Sequence, residues 1–364
     1  MTWGSYYYCA ICGGPFGGCN FQTGSERCSF QATEEDETVQ DGFNRGYDQN
    51  IIQHVEVLWT EIMLILGLKR DETACIVGPA FLEHGSGSSG VELDADEDGR
   101  YRTLRSHGKF YTYINSNGFD YAWKPLFPFH WPCYKLLARA LTETNSNVPV
   151  ATTTNQIDKH VLFIVMERKI NTASKCLNLD YGLAATSQDY CWRSIPGYEL
   201  LVAPFDETPS TSTLLRTTCT ISPDALHFPA VKGDLTAKVK SDPFQKLPNE
   251  IIGIILGFPI DIVSVLNLCR ASWSVRCVLQ DNDLFWKGRI RIDLPCFFEL
   301  HQLMAEDPEL LRGKNVKGLL LALHEMTRPM KGMTGPFMGL ANRRRVWSVC
   351  EQIAALYWDV ARES

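Results

Sequence analysis

The sequence has no run of about 18 consecutive apolar residues, so no membrane-spanning helix is expected. It has no excess of positive charge. Lys and Arg number 35 against 42 Asp and Glu, a net charge of −7, which argues against a general affinity for nucleic-acid phosphates and leaves room only for a local basic patch. The opening MTWGSYYYC carries neither the positive n-region nor the apolar h-region of a secretory signal. No internal repeat is visible. GSGSSG lacks the Lys-Ser/Thr ending and the preceding strand that a P-loop or a nucleophile elbow requires. DADEDG sets Asp94, Asp96, Asp98 and Gly99 as in the first half of a calcium loop. The twelfth position is then Arg105 where a bidentate Glu is needed, so a solvated acidic loop is expected. No Ser/His/Asp or paired-carboxylate set can be assembled from spacing, and no enzyme is expected. Arg343, Arg344 and Arg345 read either as a fragment of a nuclear signal or as the solvated face of a helix.

What is present is an ordinary globular share of apolar residues, 45%, in a chain of 364 residues, long enough for two or more domains. Thirteen Cys without a signal suggest a reducing compartment, cytoplasmic or nuclear, with thiols that are buried, metal-bound or reactive rather than paired. Residues 51–66 have Ile51, Val55, Leu58, Ile62 and Ile65 at helical spacing and predict an amphipathic helix. Residues 83–100 predict a flexible acidic loop. KFYTYINS (109–116) and HVLFIVM (160–166) predict strands from their aromatic and β-branched content, and HWPCYKLLARAL (130–141) predicts a helix with Pro132 in its first turn. The Ser-, Thr- and Pro-rich stretch 205–242 has the composition of a linker.

After it comes LPNEIIGIILGFPIDIVSVLNLCRASW, from Leu247 to Trp273. Pro248 and Glu250 suit a helix start, and Pro259 ends the segment. Ile251, Ile252, Ile254, Ile255, Leu256 and Phe258 cover an arc of roughly 200°, about twice the stripe that a surface helix needs to pack on its own core. Asp261 can cap a second helix carrying Ile262, Val265, Leu266 and Cys269. A third segment follows around Trp273 to Leu279, and Asp283 can cap a fourth before Leu284, Phe285 and Trp286. So small a bundle cannot hide every apolar face. The excess is covered by another part of the chain, as in an ordinary buried helix, or by a partner.

The order of these residues resembles the F-box: Leu247-Pro248, the Ile/Leu run, Pro259-Ile260-Asp261-Ile262, Leu268 to Trp273, then Asp283 to Trp286. F-box proteins use this module to bind the Skp adaptor of Skp–cullin–F-box ubiquitin ligases. The resemblance covers about residues 243–290. It implies that Leu247, Pro248, Ile251, Ile255, Ile262, Leu268 and Trp286 form or brace the surface that binds a Skp-type adaptor and, through it, a cullin. The short turn GFPID, with Phe258 where Leu is usual, departs from the pattern.

A second constellation lies earlier. CAICGG places Cys9 and Cys12 in a C-x-x-C knuckle, and HWPC places His130 and Cys133 at i, i+3 on a helix's first turn. Four soft or borderline donors suit tetrahedral zinc in a closed, structural site. Cys19 and Cys28 are rival partners for the knuckle, and a set of buried thiols beside a packed histidine is the alternative without metal. Cys133 with His130 also admits a nucleophile-and-base reading, which their spacing and the distant C-x-x-C fit less well.

CAICGGPFGG, FPFHWPCYKLL, CLNLDYG and FMGLANRRRVWSVCEQI together are similar to a filamentous-fungal group of F-box proteins in which a Cys-pair and His/Cys-pair domain precedes the box. The expected architecture is an α+β N-terminal domain with a candidate structural zinc site (1–204), a linker (205–242), an all-α F-box module (243–290) and C-terminal helices (291–364). The expected function is a non-catalytic, substrate-recruiting subunit of a ubiquitin ligase. The alternative is a zinc-containing regulatory or scaffold protein acting outside one.

Overall fold

The computed structural model describes residues 9–14, 16, 50–52, 54–68, 72–82, 91–95, 101–103, 125–142, 157–170, 177–182, 199–204, 209–220, 241–258, 260–280, 282–328 and 333–363. Two compact units divide the chain. The first joins residues 1–206 to 329–364, and the second is the contiguous stretch 207–328. The first unit is α+β and the second, among its described residues, is all helical.

In the first unit a short helical turn, His54–Val57, and a 3₁₀ turn, Leu58–Thr60, precede an antiparallel five-stranded sheet. Its strands are β1 (Met63–Leu68), β2 (Ala74–Leu82), β3 (Val91–Ala95), β4 (Tyr101–Thr103) and β5 (Phe127–His130), in the order β4-β3-β2-β1-β5. β1 lies inside the sheet. Every residue from Met63 to Gly67 is buried, which explains a continuous apolar run where an exposed strand would alternate. The helix expected over 51–66 is therefore replaced by two turns and a strand. The polar residues that gave the stretch a helical period all lie before Ile62, and the run Ile62 to Leu66 has none, which suits a buried strand. β3 lies inside the expected 83–100 loop. The strand expected at 109–116 falls outside the described residues.

Helix α1 (Trp131–Thr142) starts one residue after β5 ends, so the sheet delivers His130 directly to a helix N-terminus. Helix α2 (Lys159–Lys169) stands where HVLFIVM predicted a strand. The decisive group is Asp158. Its Oδ1 accepts the N–H groups of His160 at 2.8 Å and Val161 at 3.2 Å, satisfying donors that a helix start leaves orphaned. Val161, Leu162, Val165 and Met166 then fall on one buried face, where β-branched side chains cost little.

The second unit begins with α3 (Pro209–Thr220), inside the stretch expected as a linker. Leu215 and Cys219 are buried, and α3 packs on α8 (Phe298–Glu306). Between them come α4 (Asn249–Gly257), α5 (Ile262–Ala271), α6 (Trp273–Gln280) and α7 (Asp283–Asp293). Asp261 caps α5 through Ser264 N–H at 2.9 Å. Asn282 rather than Asp283 caps α7, accepting from Phe285 N–H at 3.0 Å. α9 (Val316–Met326) packs on α7. The C-terminal residues expected as one helical region are divided: 291–328 belong to this unit, whereas α10 (Met338–Glu363) returns to the first and packs on α1 and α2.

One polar device organises the start of the helical array. Ser272 Oγ accepts from Val275 N–H and donates to Asp242 Oδ2, and the same carboxylate accepts from Ser274 N–H at 2.8 Å and, through Oδ1, from Phe244 N–H at 2.9 Å. Asp242 thus ties the chain entering α4 to the N-terminus of α6. These donors, Ser274 N–H first, hold its carboxyl at about 2, below the ordinary 3.8. A depressed carboxyl contributes stability above its unfolded value and loses it as pH falls through the folded one. The expected outcome is that acid unfolding of residues 241–293 includes a component between the ordinary carboxyl value and about 2, and that Asp242→Asn removes it. Hydrogen exchange across 273–280 over that pH range is the measurement.

Candidate metal centre

The four donors singled out in the sequence converge. Cys9, Cys12, His130 and Cys133 are all buried, and their ligand atoms lie within 4.8 Å of one another. His130 Nδ1 is 3.3 Å from Cys12 Sγ and 4.0 Å from Cys133 Sγ. A tetrahedral ion with bonds of about 2.3 Å to sulfur and about 2.0 Å to nitrogen spaces its donors by roughly 3.5–3.8 Å, so the set needs only small adjustments to close on one. The rival cysteines, Cys19 and Cys28, lie outside the described residues.

The knuckle is made by its backbone. Cys9 N–H donates to Gly14 O and Gly13 N–H to Cys9 O, both at 2.8 Å, folding the six residues back on themselves. Gly13 takes φ of +72°, which favours glycine, and a Cβ there would stand 3.0 Å from the Tyr181 ring. The turn aims donors at the sulfurs: Gly14 N–H at Cys12 Sγ and His130 N–H at Cys9 Sγ, each at 3.3 Å, and Cys12 N–H at Cys9 Sγ at 3.5 Å. Such donors stabilise thiolate over thiol. Ala10 N–H donates to Pro128 O at 2.8 Å, fastening the knuckle to β5.

The electrostatics favour a Cys12 thiolate beside a charged His130. Burial alone would raise Cys12, but hydrogen bonds with Cys133 and Cys9 and the charge of His130 hold it well below the usual thiol value. Burial alone would lower His130, yet the negative charge of Cys12 and Cys9 raises it to about 10. Burial, with the neighbouring Cys12 and Cys9, pushes Cys133 well above the usual value. A cation entering the cluster therefore displaces protons and takes over the charge balance that His130 otherwise supplies. Phe16 lies with its ring centroid 4.2 Å from that of His130 and Trp59 meets His130 edge-on at 4.7 Å, and both aromatics help keep the donors from water. Four buried donors at this spacing could hold one metal ion.

The sequence reading missed what surrounds the ligands. Tyr181 donates its hydroxyl to Ala10 O at 3.2 Å. Arg345, on α10, donates through Nη1 to Cys12 O at 2.6 Å and through Nη2 to Asn342 Oδ1 at 2.9 Å. Arg343 donates through Nε to Pro204 O at 2.7 Å. Arg343 and Arg345 are buried, which corrects the expectation of a solvated basic face. The available signal was their company: the Tyr-Gly of CLNLDYG and the Arg run both sit in stretches rich in aromatic and apolar residues.

The residues expected at the adaptor surface divide by depth. Leu247, Pro248 and Ile251 are exposed, Ile255 and Leu268 half-buried, and Ile262 and Trp286 buried, the indole N–H of Trp286 donating to Leu279 O at 2.8 Å. No single helix among the described residues is long and apolar enough to cross a membrane. No protein-family model, curated protein or solved structure matches the chain.

Proposed function

We propose that this chain is a non-catalytic, F-box-type recruiting subunit: residues 243–290 dock on a Skp-type adaptor, and through it on a cullin, while zinc held by Cys9, Cys12, His130 and Cys133 stabilises the first unit. One observation carries the adaptor reading. Of the large apolar side chains exposed among the described residues, seven of ten lie between Leu247 and Ile292, including Ile254 at 61%, Phe258 at 59%, Val263 at 56% and Leu284 at 82%. Burying one such side chain is worth about 1.5–3 kcal/mol, so the array favours a partner strongly. Leu247, Pro248 and Ile251 supply contact, Ile255 and Leu268 its margin, and Ile262 and Trp286 the support beneath. Zinc follows from the donor set, since three thiolates with one imidazole in a closed shell suit it better than they suit hard cations.

The test is co-expression of the full chain with a Skp-type adaptor. The pair is expected to co-purify, and Leu247→Ala with Pro248→Ala to weaken capture by about 30-fold or more, the equivalent of 2 kcal/mol. Metal content, set in the other unit, is expected to stay unchanged in that double variant. Unaltered capture by the folded double variant refutes the adaptor surface. Retained zinc without any capture favours the scaffold reading instead.

A further inference from the structure

The metal-ligand knuckle is finished by a residue 333 positions away in sequence. Arg345 does not touch a donor atom. It holds the carbonyl of Cys12, the peptide group joining a ligand to Gly13, whose φ of +72° sets the turn. That guanidinium is itself fixed, through Nη2 and Nε, by Asn342 Oδ1, and Asn342 Nδ2 donates to Val202 O at 2.8 Å. The bonds made by Arg345 are buried and the bond from Asn342 to Val202 is half-buried, so breaking the Arg345 bonds would strand polar groups in the interior.

Charge adds a second reason. A divalent ion with three thiolates and a neutral imidazole carries a net charge of −1 in a dry interior. A buried guanidinium one peptide away offsets it, and the outer partners of a metal site orient and tune its ligands in this way.

We infer that Arg345 is the positioning residue of the metal knuckle and that it couples metal retention to docking of the C-terminal helix. The inference rests on the reading that Cys9, Cys12, His130 and Cys133 bind a metal. The coupling is reciprocal: metal holds α10 against the unit, and α10 holds the metal.

The experiment uses the full chain loaded with Co(II), whose thiolate charge-transfer bands report ligand geometry. Metal affinity is measured by chelator competition for the unmodified chain, Arg345→Ala, Arg345→Lys and Arg362→Ala. Arg362 is exposed on the same helix and pairs with Asp359, so it controls for general effects on α10. Arg345→Ala is expected to lose 10- to 100-fold in affinity and to shift the bands, Arg345→Lys to recover part of both, and Arg362→Ala to match the unmodified chain. In the unmodified chain, chelation is expected to speed amide exchange across 338–350. That measurement decides the matter even if Arg345→Ala fails to fold. Undiminished affinity with unshifted bands in folded Arg345→Ala overturns the inference, as does unchanged exchange after chelation. An unmodified chain that binds no Co(II) overturns the metal reading itself, a result distinct from tight binding that ignores Arg345.

Discussion

Cys133→Ser is expected to abolish metal binding and to unfold the first unit. The magnitude is what makes the effect large. Structural zinc contributes about 10–16 kcal/mol of apparent binding free energy in small zinc domains, against a total stability of about 5–15 kcal/mol for a typical domain. An ion held by these donors would also close a long loop, since Cys12 and His130 are 118 residues apart, and a loop of that length costs entropy that ligation would offset. Serine fits the space but keeps its proton at neutral pH, so it cannot replace a thiolate. Elemental analysis is expected to find one zinc per chain in protein prepared without chelator and none in Cys133→Ser. Cys19→Ser is expected to keep zinc. Zinc lost on Cys19→Ser but kept on Cys133→Ser would move the site to the rival cysteines.

Arg289→Ala is expected to cost the second unit about 3–5 kcal/mol, because it strands a carboxylate in the interior. Arg289 grips Asp293 with two bonds, Nε at 2.8 Å and Nη2 at 2.5 Å, and both side chains are almost fully buried. Nη2 also donates to Ile260 O at 2.7 Å, so helix α7 fixes the turn between α4 and α5. Burial, with the negative charge of Asp261, pushes the Asp293 carboxyl above its usual value against the pull of Arg289. Buried pairs of this kind often contribute geometry more than net stability. Arg289→Met with Asp293→Leu is expected to recover most of what Arg289→Ala loses. Denaturant dependence of amide exchange within 283–293 measures both. A single variant as stable as the parent would contradict the argument, and so would a double variant no better than the single.

The parts legible in the sequence were those whose cause is local. Asp261 announces α5 because an N-cap needs only its own neighbours. Pro248 stands at the start of α4 for the same reason. The four donors were legible because C-x-x-C-G-G and H-x-x-C fix spacing within a turn. Failures came where context decides. HVLFIVM has strand-like composition, yet Asp158 two residues earlier and a buried face turned it into helix. Ile62, expected as a helix-face residue, stands 39% exposed ahead of a strand because β1 takes its neighbours into the sheet interior. The company of Arg345 hinted at burial, but its partner was illegible in a stronger sense. Its acceptor is a backbone carbonyl, which every residue has, so nothing at position 12 could point to position 345.

The discontinuity of the first unit has a consequence for how the protein is made. Translation delivers residues in order, and domains generally fold as their chain emerges. Leu201 and Met333 belong to one buried cluster with Ile52, so this core cannot be assembled until the ribosome has passed Met333, nor α10 laid down until it has passed Glu363. The second unit, contiguous between them, is complete earlier. The nascent chain therefore finishes its middle first, and through that interval the cysteine knuckle waits, already synthesised, without the arginine that will hold it.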